Sequence, residues 1–200
     1  DPRLIATGGS DGYVRFWDRS KLLKDLKVSE RSINSITFSP NGETLFAGDN
    51  LGVITSINTN ITQNWFDELV IKQVTHESEI AKIPITHLSM ERSNYLLLVQ
   101  TKDSMLRVFE TKVMVPSQRY TGIICTNTMM KSTLSPDCEY IVAGSQDGTA
   151  KCWAVRKAET ISTPEWSFKF DGAVNAVAWN RVENIIAFSS YAAKMPIIVF

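Results

Sequence analysis

The chain has 200 residues, 44% of them apolar, and its 21 Lys and Arg are matched by 21 Asp and Glu. This apolar content supports a full core, while a formal charge of zero supplies no field to gather nucleic acid or anionic lipid. No apolar run reaches about 18 residues, so no segment is read as a membrane span or leader.

Leu4 to Gly9 is a short apolar run ending in glycine. Ser10-Asp11-Gly12-Tyr13-Val14-Arg15-Phe16-Trp17 follows, an Asp-Gly turn and then an alternating strand that ends on Trp17. Asp-Gly between strands is a strong hairpin signal, because glycine takes positive φ without steric cost. Lys21, Lys24 and Lys27, interleaved with Asp25 and Glu30, are read as a solvated edge in the connection after that strand. Ile33 to Phe38 alternates into the turn Ser39-Pro40-Asn41-Gly42, and a compact strand runs from Leu45 to Ala47. Asn50 to Ile57 is a second hairpin copy, with Ile57 where Trp17 stood. Residues 63–82 break the rhythm. Leu69-Val70-Ile71 is expected to be an outer fourth strand and the polar remainder an enlarged loop. Trp65 and Phe66 are either a partner-contacting aromatic anchor or a cluster packed beneath that loop.

Ile85 to Met90, the turn Glu91 to Asn94 and Tyr95 to Val99 lead into a third copy, Thr101 to Phe109, with Ser104 in place of glycine. Lys131 to Leu134, the turn Ser135-Pro136-Asp137-Cys138 and Tyr140 to Gly144 lead into the strongest copy, Ser145-Gln146-Asp147-Gly148 to Trp153. Val174 to Trp179, a turn at 180–183 and Ile185 to Phe188 precede a degenerate copy ending on Phe200. The ruler positions 17, 57, 109, 153 and 200 are 40, 52, 44 and 47 residues apart.

Four strands in about 40–45 residues is the spacing of a propeller blade, and the chain resembles the WD-repeat β-propeller family over essentially its whole length. The resemblance implies an all-β fold of about four and a half four-stranded blades, at 1–30, 31–82, 83–128, 129–171 and 172–200, within a longer seven-bladed ring. It assigns blade turns to Asp11, Gly12, Asp103, Asp147 and Gly148, and blade strands to Trp17, Phe109 and Trp153. The family's opening Gly-His pair is absent and Trp-Asp occurs once, at Trp17-Asp18, so the usual Asp–His–Ser/Thr–Trp lock is incomplete in every copy. Cohesion is then expected to rest on apolar packing, at roughly 25 cal/mol per Å² buried.

Further segments resemble a ciliary scaffold branch of the same family. These are Ile33 to Ile36, Gly48 to Ile54, Ile83-Pro84-Ile85, Thr101 to Arg107, Ser132-Thr133-Leu134, Ala143 to Gly148, Glu183 to Phe188 and Pro196-Ile197; Ile57 departs from the expected Trp. That resemblance implies a cytoplasmic, cytoskeleton-associated protein of the ciliary transition zone or basal body, with protein partners and signalling-adaptor roles. The alternative is an adaptor of another assembly, such as a ubiquitin-ligase or RNA-processing complex.

Enzyme signatures are missing. Gly8 to Gly12 sits between strands, whereas a phosphate cradle needs a helix N-terminus behind it. His76 and His87 are eleven residues apart without metalloprotease spacing, and no G-x-S-x-G elbow occurs. Cys125, Cys138 and Cys152 are odd in number and lack a C-x-x-C pair, which points to a reducing compartment and away from zinc. The sequon at Asn60 is then a chance match. No catalytic residue, metal, cofactor or small-molecule substrate is expected; a propeller enzyme, with acid and base in the central channel, is the remote alternative.

Overall fold

A computed structural model describes residues 4–60, 69–90, 92–155, 161–180, 182–191 and 197–200. Among them the only helical element is one 3-10 turn, Ser78–Ile80. No helix is long and apolar enough to cross a membrane. The chain divides into two compact units, residues 1–88 and 89–200.

The first unit contains the antiparallel sheet β1 (Leu4–Gly8), β2 (Tyr13–Asp18) and β3 (Lys21–Lys27), then the sheet β4 (Ile33–Phe38), β5 (Thr44–Asp49), β6 (Val53–Asn58) and β7 (Val70–His76). The boundary between units falls inside β8 (Ile85–Met90). β8 starts the third sheet and is followed by β9 (Leu96–Thr101), β10 (Met105–Glu110) and β11 (Val115–Tyr120). A fourth sheet joins β12 (Ser132–Leu134), β13 (Tyr140–Gly144), β14 (Thr149–Ala154) and β16 (Trp166–Lys169). A fifth joins β17 (Val174–Trp179), β18 (Ile186–Ser190) and β19 (Ile197–Val199). The short strand β15 (Ile161–Ser162) lies between β14 and β16 in the chain but joins the third sheet, parallel to β11. This all-β set of small, mainly antiparallel sheets is consistent with a partial β-propeller of the WD type.

The inner strands are buried on both faces. β5, β6, β9, β10 and β13 show almost unbroken burial, and β9 and β13 accordingly read as apolar runs rather than strict alternation. The outer strands β7 and β16 are mostly exposed and carry polar residues. The ruler residues fall in one register: Trp17 opposite Ile5, Ile57 opposite Leu45, Phe109 opposite Leu97 and Trp153 opposite Ile141. In the last three pairs both partners are fully buried, and each such side chain contributes roughly 1.5–3 kcal/mol by leaving water. Directly at the ruler, the third strand is bulged against the fourth, at Phe16/Trp17, Ser56/Ile57 and Val108/Phe109. A bulge adds local twist and re-aims the side chain.

Within each unit the sheets approach too closely for side chains at one recurring position. A methyl group on Gly48 would lie 2.7 Å from Ile85, and one on Gly144 would lie 2.0 Å from the Val174 carbonyl oxygen. The equivalent position in the third sheet is Gln100, fully buried on β9. The next first strand, β12, has only three residues, and 121–131 runs without regular structure.

Two expectations need correction. Lys21, Lys24 and Lys27 lie on the edge strand β3, not in a connection. The stretch after residue 69 is also less loop-like than expected: β7 extends from Val70 to His76 because Val70, Ile71 and Val74 suit a strand, and Leu69 is buried in the core instead of opening it.

Gly12 and Gly52 hold φ near +80°, and an added methyl would meet the carbonyl oxygens of Ser29 at 1.9 Å and Ile80 at 1.8 Å. Gly42 shares the positive φ but has nothing within 4 Å. Gly12→Ala and Gly52→Ala are therefore expected to cost at least about 2 kcal/mol each, and Gly42→Ala about 1 kcal/mol. Urea denaturation midpoints of the three variants check this ordering.

Candidate functional site

The hairpin turns that carry the repeat are built on one electrostatic device. Asp11 pairs with Arg15 at 2.5 Å, Asp103 with Arg107 at 2.7 Å and Asp147 with Lys151 at 3.0 Å, each four residues apart. The same carboxylates accept local donors: Asp11 from the Tyr13 N–H at 3.2 Å, Asp103 from the Thr101 hydroxyl at 2.5 Å, and Asp147 from the Thr149 N–H at 3.0 Å. Arg107 is 4% exposed, so its pair with Asp103 is largely desolvated, whereas the Asp11–Arg15 pair faces water.

The Arg15 guanidinium and the Tyr13 N–H lower the Asp11 carboxyl below its ordinary range. For Asp147, partial burial opposes ionisation, but hydrogen bonds from Thr149, Lys151 and Ser145 outweigh it and bring the carboxyl down to about 2. In the second copy Leu51 stands where the aspartate would be. Asp49 takes over from two positions earlier, accepting the Leu51 and Val53 N–H groups at 2.8 Å each and the Ser29 hydroxyl at 2.6 Å. Its role was missed in the sequence, where the one available signal was an Asp ending the strand ahead of Asn-Leu-Gly.

The remaining expected positions are spread through the sheets. Trp17 donates its indole N–H to the Thr7 hydroxyl at 2.9 Å, so the strand half of the family's lock persists without a histidine. Trp153 is fully buried and donates to the Thr121 carbonyl at 3.1 Å. Phe109 is fully buried and makes apolar contact only. Gly12 and Gly148 hold positive φ in their turns; in the third copy Ser104 holds φ 65° and its hydroxyl accepts the Cys125 N–H at 2.9 Å. Trp65 and Phe66 lie outside the described residues.

Ser104, Ser145 and Gln146 together fasten the irregular segment 121–131 over the hairpin turns of the second unit. The Ser145 hydroxyl accepts the Ile124 N–H at 2.9 Å, the Gln146 N–H reaches the Ile124 carbonyl at 3.0 Å, and the Gln146 side chain bridges Thr126 and Thr128. This loop holds Ile124 and Met129 out to solvent, 45% and 46% exposed. Fixed loops that display apolar side chains are suited to contacting other proteins.

The chemistry available elsewhere is sparse. A cavity of about 330 Å³ in the second unit is lined by Tyr140, Cys152, Trp166, Phe168, Trp179 and Phe188 among others. Burial pushes the Cys152 thiol up to about 11, away from the reactive thiolate. Among the described residues, no group of three or more His, Cys, Asp or Glu is placed to hold a metal ion.

Asp103→Asn would leave the Arg107 charge buried without its carboxylate, and is expected to cost about 3 kcal/mol. Asp11→Asn, at a water-facing pair, should shift the urea midpoint far less. Asp147 contributes stability only while ionised. Because its folded pKa lies below the unfolded one, that contribution is present above about pH 4 and is lost as the pH falls toward 2. Acid denaturation of Asp147→Asn should therefore be shallower between pH 4 and 2 than that of the parent.

The WD domain, G-beta repeat family matches residues 1–18, 20–55 and 125–154. Jouberin of Mus musculus is 27% identical over 207 aligned residues, covering 98% of this chain, and jouberin of Rattus norvegicus is 26% identical with the same coverage. Autophagy-related protein 16 of Arabidopsis thaliana is 24% identical over 80% of this chain, which spans 30% of that protein. The chain spans 20% of the length of either jouberin. WD, G-beta repeats are thus found in three segments of the chain, which is similar to jouberin along nearly its whole length.

Proposed function

We propose that this chain is a non-catalytic, jouberin-like scaffold that presents propeller loops to protein partners in the organisation of the cilium, at the transition zone or basal body. WD repeats imply a role in protein–protein interaction, and the reading is carried by the similarity to jouberin over 98% of the chain. The side-chain chemistry supports it. The turn carboxylates Asp11, Asp103 and Asp147 are engaged in ion pairs that stiffen hairpins, which leaves the loops free for recognition and supplies no acid–base pair. In this proposal the five sheets are blades of one propeller, with boundaries near 30, 82, 128 and 171. Gly12 and Gly148 with the turn aspartates, and Trp17, Phe109 and Trp153 on the strands, act structurally. Cytoskeletal association in the cytoplasm belongs to the same proposal.

Proximity labelling by the full-length protein in ciliated cells tests it. Transition-zone and basal-body proteins are expected among the labelled set. Labelling of ubiquitin-ligase or RNA-processing subunits, with ciliary proteins at background, would replace this reading with the adaptor of another assembly.

A further inference from the structure

The strand β15 follows β14 of the fourth sheet and precedes β16, yet it pairs with the third sheet, Ile161 beside Arg119 and Ser162 beside Tyr120. Around this two-residue pairing the contacts are dense. The Thr121 N–H donates to the Ser162 carbonyl at 3.0 Å, and the Glu165 N–H returns the chain to the Cys152 carbonyl of β14 at 2.8 Å. Tyr120 is 1% exposed; its hydroxyl hydrogen-bonds the Gln118 side chain and lies 3.2 Å from the Val155 carbonyl oxygen. Its ring meets Trp153 edge-on, with centroids 6.3 Å apart, and the Trp153 indole holds the Thr121 carbonyl. Lys151 donates to the Gly122 carbonyl. Gly122, at φ +110°, lies so close to Pro164 that an added methyl would sit 2.9 Å from the proline ring.

Two residues of ladder are too few to justify such a set of partners. What the contacts share is their target: the end of β11 and the root of the 121–131 segment, both gripped from the fourth sheet. Among the described residues, β7 and β16, the outer strands of the second and fourth sheets, end their sheets without a comparable addition. In a stack of sheets the default is opening in separate units, with exposed edges and irregular loops first. Here the loop root is tied to the fully buried Trp153, so it cannot open without breaking contacts of the fourth sheet's core.

We propose that residues 161–165 form a clasp that joins the outer edge of the third sheet and the root of 121–131 to the fourth sheet, making them one opening unit. The clasp keeps Ile124 and Met129 in a fixed position whatever protein they meet, so the inference holds whether or not the ciliary reading does.

Native-state hydrogen–deuterium exchange on the full chain, read by mass spectrometry, tests it. In the parent chain the amides of 119–125 should open together with those of 150–153. Gly122→Ala drives a methyl into Pro164 and should accelerate exchange across 119–125 by about tenfold or more, with Leu97–Val99 unchanged in the same molecules. Pro164→Ala withdraws the ring without adding atoms, and provides the same test if Gly122→Ala fails to fold. Exchange of 119–125 that is faster than and independent of 150–153 in the parent chain, or that is unchanged in both variants, overturns the clasp.

Discussion

The structure depends on the fit between neighbouring sheets. Each sheet has only three to five strands, too few to shield its own apolar faces, and is held by what lies against it. Close approaches come at Gly8 and Gly48 against the Ile33 and Ile85 side chains in the first unit and at Gly144 against the Val174 carbonyl in the second, where a glycine leaves its own position empty. At those points the backbone of one strand end packs directly on the next first strand, and the buried pairs Leu45–Ile57 and Ile141–Trp153 follow in the strand behind it. The turn ion pairs are secondary: they set the shape of each hairpin, but apolar contact between sheets supplies most of the stability.

Much of this was legible in the residues. Asp-Gly turns, a recurring aromatic or branched ruler and Ser-Pro turns are short-range signals, and each is satisfied within a few residues of its own position. They placed the hairpins at Gly12, Gly52 and Gly148 and aligned Trp17, Ile57, Phe109 and Trp153. The features that escaped are those whose causes lie far away in the chain. Nothing local announces that Ile161 and Ser162 join a sheet whose nearest strand ended about forty residues earlier. The bulges at the ruler arise from how third and fourth strands meet, and no residue type encodes them. The desolvation of Arg107 depends on neighbours that one strand cannot reveal.

Substitutions at repeat positions show how far the pattern bends. Ser104 tolerates positive φ and turns the extra atoms to use by capping Cys125. Asp49 compensates for Leu51 from two residues away. Gln100 is a further departure, a long and fully buried side chain at the position that Gly48 and Gly144 hold in the second and fourth sheets.

The two Ser-Pro turns carry a further implication. Ser39 donates to Asn41 at 2.7 Å and accepts the Thr44 N–H at 2.9 Å; Ser135 does the same with Asp137 at 2.5 Å and the Tyr140 N–H at 2.9 Å. Each bond spans at most five residues, so these corners need no distant partner. Contacts of such short range close quickly, ahead of the non-local pairings that limit β-rich chains. A chain emerging from the ribosome can therefore set each corner before the rest of the strand that follows it has been synthesised, and these two bends are natural starting points for its folding.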